Sequence, residues 1–397
     1  MPLGKQYAGM WSLRQQMQAR AASTWTGIPA VPSLYLWGRA NVGQIGDNRI
    51  GTGRSSPSQL ASSVSWSSAD LGSQYAGAIK SDGTLWMWGA GADGGLGLND
   101  ATNLNSRSSP VQVGTDTNWS LISLGYFNTA AIKTNGTLWS WGSNGAELGL
   151  NDIIGRSSPV QVGALTNWLK VQAMYTQCVA IKTDGSLWSW GTSIDGQVGD
   201  NTTIYRSSPV QIGAGYDWTN LGGHKKGIIA QKSNGTIWTW GRNSGDNSGT
   251  LALNDAINRS SPVQIGADTD WILSQGTGIT ASSFLLKTNG TLWGFGYNNS
   301  GLLGANNTIK RSSPVQIGSL TSWSKAACSS ATGYMIKTDG TMWLSGNGEY
   351  YGQLGNNIGG GVTNYKSSPV QLGSSDLWTD VKSGFQHVLA IETIPGT

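Results

Sequence analysis

Reactive side chains are scarce in this chain. Its 397 residues include two histidines, two cysteines and four phenylalanines, and only 12% are charged, against roughly 25% in an ordinary soluble domain. With His224 and His387 alone, and acids scattered among turn residues, no Ser/His/Asp set or facing carboxylate pair can be assembled. No catalytic residue is therefore nominated, and no enzymatic activity is expected. Cys178 and Cys328 lie three repeats apart, and no Cys/His spacing suits zinc. Two buried structural thiols in fourth strands are expected, with no disulfide, metal or cofactor. No stretch approaches the ~20 apolar residues of a membrane-spanning helix, and the N-terminus lacks the basic-then-apolar order of a cleaved signal peptide. A net charge of +4 without a polybasic run is too mild for a nucleic-acid groove.

What the chain has instead is repetition. Arg-Ser-Ser-Pro recurs with its proline at Pro57, Pro110, Pro159, Pro209, Pro262 and Pro314, and Lys366 opens the copy ending at Pro369; successive prolines are 53, 49, 50, 53, 52 and 55 residues apart. A self-similar period near fifty residues marks a propeller, solenoid or array. Each repeat holds four short runs bounded by Gly, Pro, Asn or Asp, as in Leu187 to Gly191, Arg206 to Gly213, the segment from Trp218, and the Val179 to Lys182 type of run. These read as strands, and none shows a helical stripe.

Lys-(Ser/Thr)-(Asp/Asn)-Gly steps end at Gly83, Gly136, Gly185, Gly235, Gly290 and Gly340. Asp-Gly and Asn-Gly accept positive φ, so each step predicts a hairpin. A seventh step is missing. Leu34 to Gly38 has no preceding partner and His387 to Ile391 no following one, so pairing these two segments would complete a seventh sheet and close a ring. The prediction is an all-β fold, a seven-bladed β-propeller of four-stranded blades closed by its N- and C-terminal strands, over residues 34–397. Tryptophans two apart, such as Trp86/Trp88, Trp139/Trp141, Trp188/Trp190 and Trp238/Trp240, share one strand face. Their regular spacing predicts packing between blades rather than a sugar-stacking platform. Small residues of the fourth strand (Ala130, Ala131, Cys178, Ala180) are expected at the crowded axis.

Arg54, Arg107, Arg156, Arg206, Arg259, Arg311 and Lys366 form a ring of cations, expected to bond loop carbonyls or a nearby Asp of the same blade rather than an external anion. Asn99-Asp100, Asn151-Asp152 and Asn254-Asp255 read as turns rather than calcium loops.

The segments Leu187-Trp188-Ser189-Trp190-Gly191, Gly196-Gln197-Val198-Gly199-Asp200, Ser208-Pro209-Val210 and Val179-Ala180-Ile181-Lys182-Thr183-Asp184-Gly185 resemble repeats of the regulator of chromosome condensation family, from about residue 34 to 392. The resemblance implies the propeller. It also brings a Gly-x-x-His element, kept best as Gly384-Phe385-Gln386-His387, with Asn128 and Gln177 near the histidine's place elsewhere. Exchange-factor members of that family open a small GTPase with a wedge-like insertion, for which the even repeat spacing leaves little room. The chromatin-binding member uses a basic tail, where this chain offers only Lys5, Arg14 and Arg20.

Residues 1–33 precede the repeats. Ser12, Gln15 and the Leu13, Met17, Ala21 spacing predict a short capped helix, with Trp11, Leu13, Met17 and Trp25 as its partner-binding residues. Tyr7 to Leu13, Gln15 to Ala19 and Thr24-Trp25 resemble N-terminal leaders of tailed-phage structural proteins, particularly of cyanophages. That resemblance implies a non-enzymatic virion protein of the tail, fibre or baseplate. Such a protein would be multimeric in the particle, anchored to other virion proteins through residues 5–27, and would present its propeller to proteins or host glycans. The alternative is an intracellular propeller adaptor or guanine-nucleotide exchange factor for a small GTPase. Neither reading involves nucleic acid or insertion into a membrane.

Overall fold

The Lys-x-(Asp/Asn)-Gly steps form the expected hairpins. Gly83 donates its N–H to Lys80 O at 2.9 Å, and the Lys80 N–H returns to Thr84 O at 2.9 Å. Gly83 has a φ of +80°, and a Cβ there would run into the Thr117 carbonyl on the strand entry of the next blade. Glycine is thus required twice, by the turn and by the close approach. The computed structural model describes residues 31–394 apart from 62–63, 101–104, 246–248, 275–280, 349–350 and 358–364. The leader residues Trp11, Leu13, Met17 and Trp25 lie outside the described residues.

Seven four-stranded antiparallel sheets follow one another around a ring. The blade containing Trp168–Ala173, Gln177–Lys182, Leu187–Gly191 and Arg206–Gln211 is typical, with strands in that order. The ring closes as predicted. Val31–Ala40 pairs antiparallel with His387–Ile394, Leu34 facing Ile391 and Gly38 facing His387, and the strand begins ahead of the expected Leu34. Ala92–Gly94 forms a short 3-10 turn, and among the described residues no helix is long and apolar enough to cross a membrane.

One placement differs from expectation. The axis is lined by the strands that start with tryptophan, such as Trp168–Ala173, and not by the small-residue strands, which stand second from the axis. Cys178 is in a second strand, whereas Cys328 ends an innermost one; both are buried free thiols. The innermost strands can carry Lys170, Gln172, Asn220 and Lys382 because their axial faces border a polar channel.

Each of the seven apolar clusters spans one junction between neighbouring blades, as where Ala130, Ile132 and Leu138 of one blade meet Trp168 and Trp190 of the next. The second tryptophan of each Trp-x-Trp pair sits fully buried at the junction. Trp190 Nε1 donates to Glu147 O at 2.7 Å, Trp240 Nε1 to Gln197 O at 3.0 Å and Trp141 Nε1 to Gly95 O at 2.9 Å, each in the preceding blade. Trp88 and Trp37 bond Gln44 O and Gln353 O in the same way. Where the sequence departs from tryptophan, Ser345 Oγ keeps the bond, to Leu302 O at 2.6 Å, and Phe295 fills its place without a donor. The Gly-Gln-Val-Gly loop thereby acquires a physical reading. Gln197 offers its carbonyl, Val198 is buried, and Gly199 lets the indole of Trp240 lie against the backbone. A second clasp joins Asn N–H to Ser carbonyl across every junction, from Asn48 to Ser108 round to Asn357 and Ser55, each at 2.6–2.7 Å.

The first tryptophan of each pair packs under a lysine. Lys182 Nζ lies 3.5 Å from the Trp188 ring centre and 4.8 Å from that of Trp168, and Trp168 meets Trp188 edge-on at 5.9 Å. This cation–π arrangement explains the lysine of the turn motif. The closing blade is the exception, with Tyr35 against Trp378 at 5.3 Å and Glu392 in the lysine position opposite Trp378. Burial, then the neighbouring Glu392 carboxylate, pushes the Tyr35 phenol up to about 12.

Candidate functional site

The ring has two unlike ends. The Lys-x-(Asp/Asn)-Gly turns occupy one. The other carries the Gly-rich loops and the hairpins that join the innermost strands to the second strands.

At that loop end arginines of the cation ring are committed to their own blades. Arg54 pairs with Asp47 at 2.6 Å, Arg156 with Asp152 at 2.6 Å, Arg206 with Asp200 at 2.5 Å and Arg259 with Asp255 at 2.5 Å. Arg54 also reaches Thr52 O at 2.8 Å, and Arg259 reaches Ile257 O at 2.9 Å. The Ile154 N–H, with Arg156 behind it, holds the Asp152 carboxyl below its usual range against a lesser effect of burial. Asn151 and Asn254 stand at φ +63° and +58° as turn residues, and Asp152 and Asp255 serve their own loops. Among the described residues no group of three His, Cys, Asp or Glu converges as metal ligands would.

The two histidines are likewise internal. Burial pushes both His224 and His387 down to about 4, so near neutral pH each is an uncharged filler. Gln177 and His387 hold the same register, facing Gly191 and Gly38, and Asn128 faces Gly142. The Gly-x-x-His resemblance therefore places these residues correctly, though in a packing role.

Repeat identity breaks down at the hairpin tips around the channel mouth. In chain order they read Ser73-Gln74, Tyr126-Phe127, Tyr175-Thr176, Lys225-Lys226, Ser330-Ala331 and Phe385-Gln386. Three neighbouring tips form a continuous surface. Tyr126 meets Phe127 at 4.4 Å and Tyr175 at 4.3 Å, and Lys225 Nζ stands 5.2 Å from the Tyr175 ring centre. The Tyr126 N–H donates to Met174 O at 3.2 Å, tying adjacent tips together. On the far side of the mouth, Arg39 lies 5.0 Å over Tyr351 and donates to Gln386 Oε1 at 2.7 Å. These side chains are half-buried, held in place yet open to a partner. Tyrosine and arginine in such settings dominate interface energetics.

An apolar rim surrounds this crescent. Ile50, Ile154, Ile204, Ile257 and Ile309 precede the outermost strands and are 61%, 64%, 57%, 62% and 59% exposed. A core role is excluded at such exposure, and repeated exposed aliphatics on one face mark a contact surface. Arg49, Lys310 and Lys366 stand beside the rim. Sequence reasoning missed both features. Comparing repeats for what differs, rather than for what recurs, was the signal that could have found the crescent.

Two family models described as "Regulator of chromosome condensation (RCC1) repeat" match the chain, one at residues 82–132 and 289–333, the other at 119–146. The mitochondrial RCC1 domain-containing protein RUG3 of Arabidopsis thaliana is 29% identical over 147 residues, which are 34% of this chain and 32% of that protein. The chain thus spans about a third of that relative's length. Among solved structures, human WBSCR16 superposes with a TM-score of 0.76 at 17% identity, covering 91% of this chain and 100% of the other. Prp20p of Saccharomyces cerevisiae superposes with a TM-score of 0.79 at 14% identity, covering 92% of each. The expected virion location is overturned by the sequence relative, which is a plant mitochondrial protein. None of these matches supports the tail, fibre, baseplate or host-attachment roles. Repeat motifs, closure and relatives agree that the chain is an RCC1-like seven-bladed propeller.

Proposed function

We propose that this propeller is a non-enzymatic adaptor that binds an intracellular protein partner through its loop end. The observation that carries the reading is the crescent of Tyr126, Phe127, Tyr175 and Lys225. It lies where otherwise repetitive blades stop repeating, and it combines fixed aromatic rings with a cation. The exposed isoleucine rim extends the apolar contact outward. Prp20p, described as binding Gsp1p and histones, supports protein binding as the use of such a propeller. Exchange of guanine nucleotide on a small GTPase is the alternative use of the same face. Residues 5–27, with Trp11, Leu13, Met17 and Trp25, are a candidate second contact.

The test is quantitative affinity capture with the intact protein, with Tyr126→Ala/Tyr175→Ala/Lys225→Glu, and with Leu169→Ser/Ile272→Ser at the opposite end. The expected result is a partner lost only from the crescent variant. A partner set unchanged by that variant refutes the assignment. If the partner is a GTPase, release of a fluorescent guanine nucleotide from it separates exchange from adaptor binding.

A further inference from the structure

The innermost strands leave a cavity of about 200 Å³ at the ring axis, enough for roughly six or seven waters at ~30 Å³ each. It lies toward the turn end, and its wall sets serine, amide, lysine and aspartate side chains beside Leu121, Val171 and Leu221, where the blade junctions are apolar. Lys170 stands in one wall, half-buried. Its Nζ donates to Thr219 O at 2.7 Å and to Asn220 Oδ1 at 3.2 Å. Among the described residues no carboxylate pairs with it, whereas the turn lysines Lys133, Lys232 and Lys287 each have an aspartate within 3.3 Å. Burial pushes the Lys170 ammonium below its usual range. A cation drawn partly out of water and met only by neutral oxygens carries a cost that a bound anion offsets.

The rest of the wall adds direction. Gln172 lies two residues along the same channel face, its Nε2 donating to Ser123 Oγ at 3.1 Å. Three blades away, across the axis, stands Asp380. Asp70 is also present but fully buried, accepting from the Leu124 N–H at 2.8 Å, with Lys382 in the next blade offsetting its charge. The cavity therefore offers the Lys170 ammonium on one side and the Asp380 carboxylate on the other, with the charge of Lys382 engaged by Asp70.

We propose that this cavity binds a small carboxylate that also bears an ammonium or hydroxyl group, its carboxylate on Lys170 and its donor group toward Asp380. Titration calorimetry on the full chain with L-serine, L-lactate and acetate tests it. Serine or lactate is expected to bind, with acetate at least about tenfold weaker. Lys170→Met should abolish the heat, Asp380→Asn should bring serine and lactate toward acetate, and Lys310→Met at the opposite end should leave every titration unchanged. Thermal melts report folding of each variant; should Lys170→Met fail to fold, Lys170→Gln is expected to weaken binding at least about tenfold in its place. The proposal is overturned if neither serine nor lactate binds at about 10 mM, if Lys170→Met binds as the wild type does, or if acetate binds as tightly as serine and lactate.

Discussion

Replacing Trp190 with phenylalanine isolates the junction bond that the repeats are built around. Trp190 is fully buried and donates to the Glu147 carbonyl of the preceding blade at 2.7 Å. Phenylalanine keeps an aromatic ring but removes the N–H, leaving that carbonyl without its partner, at about 1–3 kcal/mol. The smaller ring also leaves a void, worth about 1 kcal/mol for each missing methyl-sized volume. Together the expected loss is about 2–4 kcal/mol. Trp188 supplies the control two residues earlier. It is half-buried, and its Nε1 bonds Ser186 Oγ at 2.9 Å, a hydroxyl that keeps its own bond to Asp184 Oδ1 at 2.6 Å when the indole N–H is lost. Trp188→Phe is expected to cost about 1 kcal/mol or less, including part of its contact with Lys182. Urea unfolding followed by circular dichroism measures both variants. Equal losses, or a loss below about 0.5 kcal/mol for Trp190→Phe, would refute the junction argument. The chain holds its own precedent in Phe295, which occupies the same register in another blade.

Deleting residues 387–397 removes the strand that pairs with both Val31–Ala40 and Trp378–Ser383. Loss of the single cooperative thermal transition is expected, and a truncated protein melting at the wild-type temperature would indicate an open array. His224 and His387, pushed by burial down to about 4 from an ordinary 6.5, are folded in their neutral form. Their contribution is complete above pH 6.5 and is lost as pH falls toward 4, up to about 3 kcal/mol each by linkage. Urea midpoints at pH 7.5 and 4.5 measure this, and His387→Gln should flatten about half of the dependence. Deleting residues 1–30 should leave the melting temperature unchanged, because the described blade strands begin at Val31; a marked drop would make that segment part of the propeller's own packing.

The fold was legible because its signals are local and repeated. Asp-Gly turns and Arg-Asp loops depend on residues close in sequence, while the two orphan segments, at opposite ends of the repeat region, are what the repeat count leaves over; all appear where expected. What lies at the axis was not legible. Periodicity orders the strands of a blade without saying which end faces inward, so Ala130 and Cys178 were placed one strand too far in and Cys328 was given the wrong strand. The crescent was hidden for another reason. Tyr126 and Tyr175 come from different blades, and only the ring brings their side chains to 4.3 Å. The virion expectation rested on a short resemblance in the leader, a segment that takes no part in the repeat pattern.

The same geometry explains why the hairpin tips are free to carry function. In the closing blade the imidazole of His387 lies over Gly384, so that a Cβ at 384 would overlap it. In another blade the arrangement is reversed: His224 opens the tip, and its ring lies over Gly227. Asn128 covers Gly125 and Tyr75 covers Gly72 in the same manner. In these four tips one end supplies the filling side chain and the other is glycine, whereas Met174 with Gln177 and Ser329 with Thr332 share the place between two side chains. The inner position is thus held by volume rather than by residue identity, and it anchors the hairpin whatever the two outer residues are. Those outer residues face the channel mouth and are released from the packing rules that fix the remainder of each blade. That freedom is what allows Tyr126, Tyr175 and Lys225 to differ from their counterparts at no cost to the ring.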